Sequence, residues 1–371
     1  MSKAGPDKTA VRAEAVRLQQ TFLAAGAVAV EADILQPAGL LLDLYGEDIR
    51  ARAYVTDDPL QGEMMLRPDF TVPVVQAHMA DGADPARYTY MGEVFRQQEH
   101  RGGRPAEHFQ LGYEVFDRKN PAAADAEVFA LFAQALRPLG LRAATGDIGI
   151  LLAAVQGLAT SVPRRAALLR HLWRPKRFRA LLDRFGGRVP EPSARTRMLA
   201  RLSAATPQAL IDQAGGFVGK RSRAEIAARI VALQEDAALA PLAAGEVALL
   251  EEILAVREKS PGALKRLRQI AVAMPAISAA VDRLEARLAA LAARGVDVGG
   301  LDFEASYGRT TLEYYDGFVF GLYVEGQPDL PPVASGGRYD ALTRVLGQGR
   351  SIPAVGGVIR PALVLALGAT T

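Results

Sequence analysis

Tyr88 to Asp117 reads YTYMGEVFRQQEHRGGRPAEHFQLGYEVFD. It opens as an alternating run through Tyr88, Tyr90 and Gly92 into Val94-Phe95-Arg96. It passes through a charged, glycine-rich segment from Gln97 to Pro105 and closes on a second apolar run, His108 to Phe116. Two β-prone runs joined by such a segment predict an antiparallel hairpin. Gln110 and Glu114 are both even-numbered on the second run, so a strand presents them on one face. An amide and a carboxylate amid apolar neighbours are costly to bury unless something polar meets them. Arg96, at the mouth of the loop, is placed to meet an anion. The plainer alternative is an ordinary hairpin with a solvated basic tip.

Other stretches tip the balance. Leu66-Arg67-Pro68-Asp69-Phe70-Thr71, Leu312-Glu313-Tyr314-Tyr315-Asp316-Gly317 and Ala334-Ser335-Gly336-Gly337-Arg338-Tyr339-Asp340-Ala341-Leu342 flank the hairpin in a fixed order. On residues alone, Asp69 is a good cap for a helix starting near Thr71-Val72-Pro73. With the hairpin, however, the blocks resemble class II aminoacyl-tRNA synthetases in the histidyl-tRNA synthetase version. GEVFRQQEHRGGRPAEHFQLGYEVFD is similar to motif 2, and the others to the LRP-acid-x-T, LDYYTG and GGRYD blocks. Four ordered blocks are far more specific than one.

The resemblance implies an α+β fold: an antiparallel sheet flanked by helices, carrying a helical insertion. It also implies a histidine pocket in which Asp69, Thr71 and Gln110 face the ammonium, while Glu114 and Tyr314, with Tyr315 beside them, face the imidazole. Arg96 matches the arginine that meets the ATP α-phosphate. The adenylate-forming positions depart from the pattern. Gln98 stands where FR-x-E has its acid, Ala106 where GR-x-R has its second arginine, and Thr310 where RGLDYYTG has its arginine. Arg309 is one residue early, and strand alternation would send it to the other face. Gly356-Gly357-Val358-Ile359-Arg360-Pro361-Ala362-Leu363 puts Ala362 and Leu363 at the acid and arginine of G-x-E-R. Cationic clamps stabilise charge developing on ATP phosphates, so these losses argue against catalysis.

Composition sets outer bounds. The chain has 371 residues, 50% of them hydrophobic, enough for one large or two ordinary domains. A formal net charge of +3 makes no strong case for nucleic acid. There is no cysteine, and the four histidines lack metal-ligand spacing, so neither a disulfide framework, a metal nor a cofactor is expected. The polar N-terminus has no apolar signal region and no stretch suits a membrane span, so a cytoplasmic protein is expected.

In chain order, helical spacing covers residues 8 to 25 and Ala122 to Ala135. Pro37 follows a short apolar run that weakly matches motif 1, a dimer-forming element of the resembled family. From about Pro163 to Gly295 the chain turns rich in Ala, Leu and Arg, with Val281, Leu284, Leu288 and Leu291 as a core-packing stripe. The basic run from Arg164 to Arg179 reads as a solvated face, or as a site for an acidic partner. Strand character returns at Leu301 to Glu304 and Thr311 to Val324. Gly336-Gly337 reads as a tight turn before a helix from Tyr339, and strand plus helix close the chain from Pro353. The expected division is 1–162 and 298–371 as the two parts of the core, with 163–297 as the insertion.

Histidyl-tRNA synthetases continue past motif 3 into an anticodon-binding domain, whereas eight residues follow Leu363 here. Pocket kept, catalytic positions lost and anticodon domain absent together resemble the synthetase paralogues that serve as regulatory subunits of ATP phosphoribosyltransferase. That implies feedback control of the first step of histidine biosynthesis. Its partners would be L-histidine and the short-form catalytic subunit, in a hetero-oligomer that contains a self-dimer. Alternatives are a truncated, ATP-dependent histidine-activating ligase and a tRNA-binding scaffold.

Overall fold

In the computed structural model, residues 7–39, 51–97, 105–190, 192–215, 219–309 and 314–368 are described. Gln98, Thr310, Thr311, Leu312 and Glu313, each named above, lie outside them. The hairpin forms as β5 (Ala86–Phe95) and β6 (Glu107–Phe116), antiparallel with Tyr88 opposite Glu114 and Gly92 opposite Gln110. Around it runs a sheet that also holds β1 (Val28–Ala29), β7 (Arg142–Asp147), β8 (Arg257–Lys259), β9 (Asp302–Glu304), β10 (Phe318–Tyr323), β11 (Ala334–Arg338) and β12 (Ala354–Ile359). Among the described residues the order is β1-β5-β6-β12-β11-β10-β7-β9-β8. Strands β6 and β7 follow each other in sequence, yet three late strands lie between them. A smaller sheet pairs β2 (Leu35–Pro37), β4 (Gly62–Leu66) and β3 (Val55–Asp58).

Alternation sorts β6 cleanly. Odd positions meet helices: Tyr113 stacks on Phe22 with ring centroids 5.0 Å apart, and Phe22 meets Phe132 at 5.2 Å. Phe22 comes from the helix Lys8–Ala24, capped by Asp7, and Phe132 from Pro121–Ala135, capped by Asn120 with proline in its first turn. Each of these buried rings contributes roughly 2–3 kcal/mol of hydrophobic stabilisation. Even positions, Gln110, Gly112 and Glu114, face the other way.

The helix Ser278–Ala293 buries Val281, Leu284, Leu288 and Leu291 as its spacing predicts. It also buries Arg287, which the stripe did not foretell. Arg287 donates to Asp147 at 2.7 Å and to Asp125 at 3.3 Å, and lies over the Phe318 ring. Arg338 reaches the same Asp125 at 2.7 Å and Asp340 at 3.0 Å. This network draws Ser278–Ala293 into the same compact unit as the large sheet. That unit comprises 1–151 and 253–371; the second comprises 152–252. These limits differ from the division expected at 163 and 297, because the buried charges hold residues 278–293 with the sheet.

Within the second unit, Val162–Arg170, Pro175–Phe185, Ser193–Ser203, Pro207–Gln213 and Arg223–Ala238 are helices. Ser161, Thr206 and Ser222 cap three of them, Ser222 through a capping box with Glu225. The basic run is only partly solvated. Arg164 is buried, donating to Asp236 Oδ1 at 2.6 Å and to the carbonyl of Ala240 at 2.8 Å, and Arg179 pairs with Glu251. Gly336-Gly337 is not a turn: both residues belong to β11. A Cβ at Gly337 would lie 2.7 Å from the Tyr315 ring, so glycine serves close approach rather than chain reversal. Arg309 lies in a turn rather than on a strand, so alternation cannot assign its face.

Candidate functional site

Gln110, on the even face of β6, opens onto a cavity of about 360 Å³. Asp69, Thr71, Gln110, Tyr314, Tyr315 and Arg96 all line it. The Leu66–Thr71 block is set there by Arg67. This buried side chain donates from Nε to the Glu93 carbonyl at 2.8 Å, donates to the Ala32 carbonyl, and covers the Phe70 ring at 4.0 Å. Asp69 Oδ1 accepts the Thr71 N–H at 3.1 Å, so the carboxylate does support the start of the helix Thr71–Asp81. Oδ2 takes a long contact of 3.5 Å from the Tyr314 hydroxyl. Ligand group and helix support are thus both open to Asp69.

Glu114 is placed differently. It is fully buried and does not line the cavity. Oε1 accepts from Thr71 Oγ1 at 3.0 Å and Tyr90 OH at 2.7 Å; Oε2 accepts from Tyr339 OH at 2.6 Å. Burial pushes its carboxyl up to about 7, against the pull of those three hydroxyls, and neighbouring Asp69 adds to the rise. Glu114 therefore stands beneath the cavity, gripping Thr71, which does line it. Space for it comes from glycine: a Cβ at Gly356 would run into Glu114 Oε2, and one at Gly112 into the Tyr90 ring.

Burial, reinforced by Glu114 and Asp69, raises the Tyr315 hydroxyl, so it stays a neutral donor. Asp316, next in the chain, accepts the backbone N–H groups of Asp340 and Ala341 at 3.0 and 2.6 Å and supports the helix Asp340–Leu346. Burial first, and then Asp340, pushes Asp316 up to about 7.

Two observations sharpen the chemistry. Gln110 is 1% exposed, yet its Oε1 accepts no hydrogen bond among the described residues. A buried orphan acceptor calls for an explanation, and a ligand donor supplies one. The second is a pair of arginines that the sequence reading did not single out for this site. Arg52 and Arg360 join Arg96 in the lining. Arg360 stands three residues before Leu363, at the glycine of G-x-E-R, and a charged residue there was the available signal. Among the described residues, no cluster of His, Cys, Asp or Glu suits a metal ion. No helix among them is long and apolar enough to cross a membrane.

An antiparallel sheet floor, a Gly-rich β11–β12 pair and a polar cavity over an acid–amide strand define a class II aminoacyl-tRNA synthetase-like core. The histidyl-tRNA synthetase family model matches residues 3–240 and 224–362. A solved structure of an ATP phosphoribosyltransferase regulatory subunit/histidyl-tRNA synthetase from Bacillus halodurans superposes with a TM-score of 0.67. It is 20% identical and covers 98% of this chain and 81% of that one. Histidyl-tRNA synthetase from a Nostoc species gives 0.63 at 16% identity, over 99% and 74%. Sequence relatives narrow the class. The ATP phosphoribosyltransferase regulatory subunit of Rhizobium rhizogenes is 33% identical over 343 residues, 88% of this chain and 90% of the relative. That of Mesorhizobium japonicum is 32% identical over 361 residues, 92% and 94%. The chain belongs to the family of ATP phosphoribosyltransferase regulatory subunits, named for regulation of an enzyme rather than for catalysis.

Proposed function

We propose that this protein binds L-histidine in the β6 cavity and couples its occupancy to a short-form ATP phosphoribosyltransferase catalytic subunit in a cytoplasmic hetero-oligomer built on a self-dimer. The observation that carries the reading is the orphaned Gln110 Oε1 beside Asp69 in one cavity. An ammonium has donors for both, and charge-assisted hydrogen bonds are the strong ones. The Tyr314 and Tyr315 hydroxyls complement an imidazole, which donates from one nitrogen and accepts at the other. About 360 Å³ falls in the lower part of the range for small-molecule sites. Feedback requires histidine to bind two states of the assembly with different affinity; the difference is what reaches the partner.

The test mixes the protein with the short catalytic subunit from the same source and follows phosphoribosyl-ATP formation with and without histidine. A rate that depends on this protein and falls with histidine is expected. An unchanged rate under both conditions overturns the partner assignment. Histidine-dependent ATP–pyrophosphate exchange by the protein alone would instead make it a ligase.

A further inference from the structure

The formal charge of +3 hides a segregation. Residues 152–252, the second compact unit, hold 16 lysines and arginines against 9 acids, a net +7, while the other unit holds 28 against 32, a net −4. A unit of strongly single sign favours an anionic partner. Within it lies a groove of about 750 Å³, larger than the β6 cavity. Met198 and Leu202 of the helix Ser193–Ser203, Leu210 and Ile211 of Pro207–Gln213, and Ile226 and Ile230 of Arg223–Ala238 line it. Its walls are tied together. Arg195 reaches Asp236 at 3.4 Å, Gln234 Nε2 donates to the Leu202 carbonyl at 2.5 Å, and Arg223 pairs with Asp212. Met198 is 40% exposed, so part of this apolar lining meets water.

Arg197 and Arg201 also line the groove, one turn apart on Ser193–Ser203 and both exposed. Among the described residues neither makes a hydrogen bond or ion pair, unlike Arg195 on the same helix. Like charges at i and i+4 repel each other, and carboxylates set alongside them relieve that repulsion. We propose that this groove docks an acidic amphipathic helix of a partner protein, its apolar face on the isoleucines and leucines and its carboxylates on Arg197 and Arg201. An amphipathic helix carries acids at the same one-turn spacing, beside an apolar stripe. A nucleic acid brings the charge without the apolar face. A long-chain carboxylate brings the apolar face but one charge for two arginines. The inference stands apart from the histidine reading, since the groove lies wholly within residues 152–252.

The experiment selects from a display library of random helix-forming peptides, about fifteen residues each so that a helix can hold. The baits are the whole protein and its Arg197→Glu/Arg201→Glu double variant. Wild type should enrich apolar residues at i, i+3 or i+4, and i+7, with Asp or Glu one turn apart on one flank. By fluorescence anisotropy, an enriched peptide should lose about tenfold or more in affinity on the double variant. The same peptide with lysines for its acids should recover affinity there, a rescue that a merely structural role of the arginines would not give. On wild type alone, added salt should weaken the peptide, so the test stands if the double variant fails to fold. Enrichment without acidic positions, equal affinity for both proteins, or no enriched peptide overturns the proposal. Binding of oleate or oligouridylate that the double variant abolishes, with no such peptide found, gives the groove to a lipid anion or a nucleic acid and overturns it too. Self-association broken by the double variant gives the groove to a second copy, with the same consequence.

Discussion

Glu114→Gln should flatten part of the protein's response to pH. In the fold the Glu114 carboxyl is pushed up to about 7 by burial, from an ordinary value of 4.5. A carboxyl raised in the folded state contributes stability that is fully present below its unfolded pKa and is lost as pH rises through its folded one. The window therefore runs from about 4.5 to about 7. The gap of about 2.5 pH units, at 1.36 kcal/mol each, corresponds to roughly 3 kcal/mol. Glutamine does not titrate. It keeps one acceptor oxygen but leaves one of the Thr71, Tyr90 and Tyr339 hydroxyls short, at about 1 kcal/mol and at every pH. Relative to wild type, Glu114→Gln should thus gain about 3 kcal/mol between about pH 4.5 and about pH 8.5. Urea melts of both proteins across that range measure the gain. Asp316, also raised, titrates in both and cancels in the difference. Parallel stability curves would refute the premise that Glu114 is ionised only at a cost. Histidine affinity should fall in the same variant because Thr71 is held less firmly, and unchanged affinity by calorimetry would detach Glu114 from the pocket.

Gln110→Leu removes the orphaned oxygen; it should leave urea stability equal or raised by up to about 1 kcal/mol while abolishing calorimetric histidine binding. Gly356→Ala drives a methyl into Glu114 Oε2 and should cost about 1–3 kcal/mol in chemical denaturation, with histidine binding lost alongside. Arg287→Met leaves Asp125 and Asp147 short of a buried partner and should cost about 3–5 kcal/mol, read as a lowered urea midpoint. Unchanged midpoints would show that the network tolerates the loss.

The hairpin, its register face and the pairing of Asp69 with Gln110 were legible because strand period and motif order are local signals. Depth was not. Alternation puts Glu114 on the cavity side of β6, but only Thr71, Tyr90 and Tyr339 closing over it place it beneath the floor. Gly336-Gly337 read as a turn because glycine pairs usually mark one; here Gly337 clears room for the Tyr315 ring from a segment over twenty residues away, and Gly336 for the Phe320 ring. Arg287 hid inside an apolar stripe, since period alone says which face is buried and not which charge follows it inward. Arg52 was one cation among 44 lysines and arginines, with nothing nearby in sequence to set it apart, and Arg360 was marked only by standing at the glycine of G-x-E-R.

The strand order has a consequence for synthesis. β6 leaves the ribosome well before the neighbour that covers its open edge, β12, residues 354–359. Until then the nascent hairpin carries an unpaired edge, a surface prone to wrong partners, and Glu114 lacks Tyr339. A chain cut short anywhere before β12 has no finished floor for a ligand.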